Sequence, residues 1–201
     1  MDLTFQDFKK KSTISANYNK PNLFNMEGQD HLNISAQSNC SLGRFLDPGY
    51  CLKFEYPHIG SFKSALSLGY WLRSKDLDDK IRNLNGPKLK RYVAEHNLYN
   101  KRIPNYTAII ANAVWLRVKN DAEVLENIKT LDPSITLLSY YTNKTSGIRI
   151  TTNYAPMVVA IATEIIKAVK ENREPDFLQF ATHKKHVKLD FLELILKRHK
   201  R

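Results

Sequence analysis

Hydrophobic and polar positions alternate from His31 to Ala36, with Leu32, Ile34 and Ala36 on one side, and this period of two predicts a strand. A turn is expected at Asp47-Pro48-Gly49, because proline presets φ and glycine accepts positive φ. Alternation resumes from Tyr50 to Tyr56: Tyr50, Leu52, Phe54 and Tyr56 share one face, and Cys51, Lys53 and Glu55 the other. From Ser61 the period lengthens. Phe62, Ala65, Leu66, Leu68, Gly69, Tyr70, Trp71 and Leu72 predict a largely buried helix.

A polar helix is expected over Asp76 to Leu84. Asn85-Gly86-Pro87 then breaks the pattern and opens a helix from Lys88 to Glu95, with Leu89 and Val93 inward. Pro104 to Lys119 reads as an amphipathic helix whose core side is Ile109, Ile110, Ala113, Val114 and Val118. Asn120 to Glu123 has capping-box spacing, and a helix through Val124, Leu125 and Ile128 should run until Pro133. Ile135 to Tyr141 is β-like, Thr142 to Gly147 a turn, and Ile148 and Ile150 suggest a brief strand. Pro156 to Val169 predicts a long helix.

These elements define an α+β fold, mainly α-helical, in a single domain. Residues 1–30 form an N-terminal extension with at most a helical turn from Thr4 to Lys10. Residues 31–172 form the core, and residues 173–201 a basic tail. In that tail an apolar stripe of Leu189, Leu192 and Leu196 accompanies Lys184, Lys185, Lys188, Lys197, Arg198, Lys200 and Arg201. It reads either as a docking helix or as a final helix with a solvated basic face.

Composition adds one strong bias. The 201 residues carry 31 Lys and Arg against 20 Asp and Glu, a net charge of +11, which favours a polyanionic partner such as nucleic acid or serves solubility alone. A hydrophobic content of 42% with 25% charged residues suits a packed globular chain. The longest apolar stretch, around Pro156 to Ala162, is too short to span a membrane, so no membrane partner is expected. Only Cys40 and Cys51 are present, which leaves no disulfide framework and no cysteine-based zinc site. The start lacks the order of a signal peptide, and a reducing, cytoplasmic compartment is expected.

Phosphate-binding loops, zinc-protease pairs and nucleophile elbows are missing from the sequence. His183 and His186 lie three apart with no supporting acid or cysteine, so neither a metal nor another cofactor is expected. What remains is phosphate-friendly and aromatic. Arg44, placed between two strands, could clamp a pyrophosphate. Lys88 and Lys90 stand at a helix start whose amides attract anions. Tyr70, Trp71, Tyr140 and Tyr141 could stack on a base or ribose, although such aromatics more often belong to the core.

The order of these pieces resembles the NADAR family. The carrying blocks are Asn33-Ile-Ser-Ala-Gln-Ser-Asn-Cys-Ser-Leu-Gly-Arg-Phe-Leu46, Ile59-Gly-Ser-Phe-Lys-Ser-Ala-Leu-Ser-Leu-Gly-Tyr-Trp-Leu72, Asn85-Gly-Pro-Lys-Leu-Lys90, and Ala111 to Lys119 followed by Ile135 to Tyr141. Together they span residues 30–170 or so. The resemblance implies hydrolysis of the N-glycosidic bond joining ADP-ribose to guanine in DNA, a phage counter-defence against host toxins that ADP-ribosylate DNA. The implied partners are ADP-ribosylated DNA, single-stranded or with a flipped guanine, and ADP-ribose itself.

By the same alignment, the family's Ser-Asn-Phe is Asp47-Pro48-Gly49 here, its helix glutamate falls on Leu66, and the histidine before its paired tyrosines is Ser139. Asp47 and Glu55 are therefore the replacement carboxylates. With Lys90 they make up the catalytic candidates. Arg44 and Lys90, with Lys88, would hold phosphates, Tyr70 and Trp71 would line the ribose and adenine pocket, and Tyr140 and Tyr141 would face the base. This assignment requires Arg44, Tyr70 and Lys90 to border one cleft. A catalytically silent ADP-ribose or nucleic-acid binding module, and a phage interaction protein whose tail docks a partner, stay open beside it.

Overall fold

The computed structural model describes residues 27–28, 31–99, 103–143, 145 and 149–181. Within them the elements run β1 (His31–Asn33), α1 (Ser41–Leu46), β2 (Phe54–Tyr56), β3 (Gly60–Phe62), α2 (Ala65–Arg73), a 3-10 turn (Asp79–Asn83), α3 (Gly86–Glu95), α4 (Tyr106–Val118), α5 (Ala122–Thr130), β4 (Thr136–Leu138), β5 (Tyr141–Thr142), β6 (Arg149–Ile150), α6 (Ala155–Lys170) and a second 3-10 turn (Phe177–Phe180). The fold is α+β, dominated by helices, with strands of two or three residues in two-stranded pairs. The expected N-terminal helical turn and the basic tail from His183 lie outside the described residues.

The chain divides into two compact units, each discontinuous in sequence. The first holds the described residues up to Asp47 together with Asp121–Pro175. Its centre is the parallel pair β1–β4, with His31 opposite Thr136 and Asn33 opposite Leu138. All three residues of β1 are buried, as are Ile34 and Ser35, so the period-two reading from His31 to Ala36 ends early: a strand covered on both faces does not alternate. Helix α6 packs on α5 and β4, and α1 packs on α5. The start of α5 is capped by Asp121, whose carboxylate accepts the Val124 amide at 3.1 Å, and not by Asn120. The end of α6 is tied by Arg173, which donates to the buried Glu164 at 2.7 Å and to Glu171 at 2.6 Å.

Gly43 lets α1 approach β1. A Cβ there would stand 2.2 Å from the carbonyl oxygen of Asn33 and 2.4 Å from Ser38 Oγ. The helix itself corrects the expectation that Arg44 simply stands between two strands. Its six residues are too few to show a period, and contact with β1 and α5 settles what local pattern does not.

The second unit holds Pro48–Asn120 and the described residues from Asp176 on. Its hairpin β2–β3 pairs Phe54 with Phe62 and Tyr56 with Gly60. The second strand is thus shorter than expected, and Ser61 and Phe62, read at the head of a helix, are extended in β3 instead. Ser64 starts α2, with a capping box in which its Oγ and the Ser67 hydroxyl each serve the other's backbone amide. The polar helix expected over Asp76 to Leu84 reduces to one 3-10 turn. Helix α3 begins at Gly86 with Pro87 in its first turn and buries Leu89 and Val93, as the pattern predicts. Helix α4 is buried from Ala108 to Ala111 and from Ala113 to Val118, Trp115 and Arg117 included, so it is a central helix rather than an amphipathic one. Gly69 admits it: a Cβ there would lie 2.7 Å from the Tyr106 ring and 2.8 Å from Ile110 Cδ1.

Candidate functional site

Four of the sequence-predicted residues, Arg44, Asp47, Tyr140 and Tyr141, belong to the first unit and gather where β1 and β4 end. Side chains pin the backbone amides of this corner. Asn33 Oδ1 accepts from Tyr140 N at 3.0 Å, Gln37 Oε1 from Thr142 N at 3.2 Å, and Asp47 Oδ2 from Ala36 N at 2.5 Å. The two loops leaving the parallel strands are thereby held to one another and to the end of α1.

The half-buried guanidinium of Arg44 donates through Nη1 to the carbonyl oxygens of Ser38 at 2.7 Å and Asn39 at 3.2 Å. Arg44 therefore stands on a helix and braces the 35–40 loop. Glu27 closes the same loop, accepting from Ser38 Oγ and, at 3.0 Å, from Asn39 N. Burial and the Glu27 carboxylate raise the Cys40 thiol pKa, against a smaller opposing effect of Arg44, so this thiol stays protonated and unreactive near neutrality.

Tyr140 is 3% exposed, and its hydroxyl meets His31 Nε2 at 3.0 Å. It is a core residue and does not face a base. Tyr141, next along the chain, is 37% exposed and pairs with Ile150 in the β5–β6 hairpin.

The remaining candidates, Glu55, Tyr70, Trp71, Lys88 and Lys90, belong to the second unit. Glu55 is exposed on β2, and its carboxylate accepts from Ser61 Oγ. Lys88 and Lys90 are exposed on α3. Trp71 is 1% exposed: its ring meets Phe62 edge-on, Arg82 lies 4.3 Å above it, and its Nε1–H donates to Asp79 at 3.1 Å. Tyr70 is 7% exposed, between Arg73 at 5.2 Å and the edge of Tyr99 at 5.9 Å. Both rings are buried against neighbours of the second unit, which runs against the expectation that they line a ribose and adenine pocket. The buried-helix pattern that revealed α2 already held the reason, since an aromatic facing the core cannot also face a ligand.

Leu66 is half-buried on α2, and its amide donates to the Pro48 carbonyl at 3.0 Å. Gln37 and Tyr99 were not read as site residues. Gln37 carries no signal without the fold, whereas a tyrosine following basic Lys88, Lys90 and Arg91 was legible.

Among the described residues, no group of three or more His, Cys, Asp or Glu side chains is placed to hold a metal ion. Likewise, no helix among them is long and apolar enough to cross a membrane. Comparisons with family models, characterised proteins and solved structures found no match to this chain.

Proposed function

We propose that the protein is an ADP-ribosyl glycohydrolase that releases ADP-ribose from guanine bases of DNA, with Asp47 as its principal carboxylate. The observation that carries this reading is the corner at the ends of β1 and β4, which is built from the first unit alone and does without the cleft shared with Tyr70 and Lys90 that the sequence assignment required. There Asp47 is held through the Ala36 amide, beside braced Arg44 and exposed Tyr141. The ends of parallel strands, where successive loops diverge, are favoured places for ligands.

N-glycosidic cleavage develops positive charge on the ribose ring, the leaving base takes a proton, and water adds to the anomeric carbon. A fixed carboxylate answers the first need, and Asp47 fills that role. Arg44 offers a delocalised cation to the diphosphate, and Tyr141 an exposed face for the base. Glu55, exposed and shared with Ser61, is the second carboxylate to test. One correctly placed acid–base group contributes about 3–5 kcal/mol of barrier reduction, or ~10²–10⁴-fold in rate. A guanine in a duplex must also leave the stack, which a single strand does not require.

The test uses a single-stranded oligonucleotide carrying ADP-ribosylated guanine and follows its mass. The reading expects loss of the ADP-ribose mass with the native protein and little or none with Asp47→Asn. An unchanged oligonucleotide overturns it. A binding-only module is the second reading, favoured by Leu66, since the segment Ser61 to Ser74 contains no acid at all. Retention of ADP-ribose without any mass loss selects that module.

A further inference from the structure

Tyr99 is the exposed aromatic of the second unit that has a built support. Helix α3 ends at Glu95, and Asn97 takes the left-handed conformation (φ 50°), which turns the chain back. The Leu98 amide then bonds the Val93 carbonyl at 2.9 Å, and the Leu98 side chain is buried. This anchor fixes the next residue. The Tyr99 ring stands edge-on to Tyr70, with 85° between the planes, and stays 43% exposed. Tyr70 is in turn backed by Arg73. The Tyr99 hydroxyl reaches the Lys90 carbonyl at 3.4 Å, which brings its tip to the turn of α3 that carries Lys90 and Arg91.

Both cations are exposed and make no ion pair with any described residue. Glu95, one turn beyond Arg91, is not within pairing distance of it. A rigid exposed ring beside unpaired cations suits a polyanion whose units carry flat faces. Rings accept stacked bases whatever their sequence, and cations take the phosphates between them. A duplex offers the phosphates but keeps its bases inside the stack.

We infer that Tyr99, with Lys90 and Arg91, forms a stacking platform for single-stranded nucleic acid. The inference rests on the nucleic-acid substrate of the proposed function and not on its hydrolytic step. Tyr99 takes one base face, Lys90 and Arg91 take the adjoining phosphates, and buried Tyr70 keeps the platform from collapsing.

The experiment measures fluorescence anisotropy of a labelled, unmodified oligothymidylate and of a duplex of equal length, across a salt series. Tyr99→Ala should weaken the single strand about tenfold and leave the duplex unchanged, while Tyr99→Phe keeps the native affinity. Lys90→Ala and Arg91→Ala should each lower the salt slope by about 0.7 on the single strand. Lys129→Ala, whose cation pairs with Glu126 on α5, is the control expected to change neither. Failure of the native protein to bind the oligothymidylate overturns the inference, as does a Tyr99→Ala protein that binds both probes like the native one or loses both equally. Should Tyr99→Ala melt early, Arg91→Glu at its exposed position decides, and unchanged single-strand affinity there overturns the inference. The same preparations are assayed on ADP-ribosylated DNA. Platform-dependent binding without ADP-ribose release removes the glycohydrolase and keeps the platform, whereas release with Tyr99-independent binding does the opposite.

Discussion

His31 and Tyr140 stand 109 positions apart, yet His31 Nε2 and the Tyr140 hydroxyl meet at 3.0 Å inside the core of one unit. Both side chains are nearly inaccessible, at 1% and 3%. The pair clamps the first residue of β1 to the second residue after β4, which helps to hold the candidate corner in register. Tyr140→Phe removes the hydroxyl and its bond to buried His31, at a cost of about 1–3 kcal/mol. Urea unfolding should show that loss. Affinity for ADP-ribose should not change, because the hydroxyl is out of a ligand's reach; an unchanged unfolding midpoint would contradict the clamp.

Gly43 and Gly86 separate two reasons for glycine. At Gly43 a methyl group would collide with the Asn33 carbonyl and Ser38 Oγ, so Gly43→Ala should cost at least about 3 kcal/mol or block folding. At Gly86 nothing lies within 4 Å of a built Cβ, and only its φ of +50° resists substitution. Gly86→Ala should therefore cost about 1 kcal/mol. Thermal melts of the two variants should fall in that order, and the reverse order would refute the packing described for α1.

Trp71→Phe tests whether that ring belongs to the core or to a ligand pocket. The change deletes the Nε1–H bond to Asp79 and weakens the Arg82 stack, for about 1–3 kcal/mol of stability. Isothermal titration with ADP-ribose should give the native affinity. A large fall in affinity with native stability would return Trp71 to the pocket.

Asp78 and Tyr92 contribute to the pH dependence of the second unit at both ends. The Tyr92 hydroxyl donates to Asp78, which holds the carboxyl pKa below its ordinary value and pushes that of the phenol up to about 12. A lowered carboxylate pKa contributes stability that is present above the unfolded value and is lost as pH falls through the folded one. A raised phenol pKa contributes stability that is present below the unfolded value near 10 and is lost as pH rises towards 12. Tyr92→Phe should therefore make both the acid limb below about pH 4 and the alkaline limb shallower, with Asp79 and Arg82 still contributing to the acid limb. Stability curves with both limbs unchanged would rule the pair out as a contributor.

What could be read from the chain alone was whatever local pattern encodes. Helix α6 shows its long apolar period, Pro87 marks the start of α3, and the alternation of Phe54, Glu55 and Tyr56 shows which residues of β2 are covered. The α+β class and the surplus of positive charge were equally open to inspection. Tertiary contact decided the rest. Helix α1 is too short to carry a period and exists by packing on α5 and close to β1, at the Asn33 carbonyl. Strands of three residues owe their pairing to distant partners, as His31 does to Thr136. The same aromatic pattern is compatible with a core and with a binding face, and only the surroundings of Tyr70, Trp71 and Tyr140 place them inside while Tyr99 and Tyr141 reach solvent. The physical reason is that periodicity reports burial averaged over an element, whereas a site depends on which individual side chains the packing leaves uncovered.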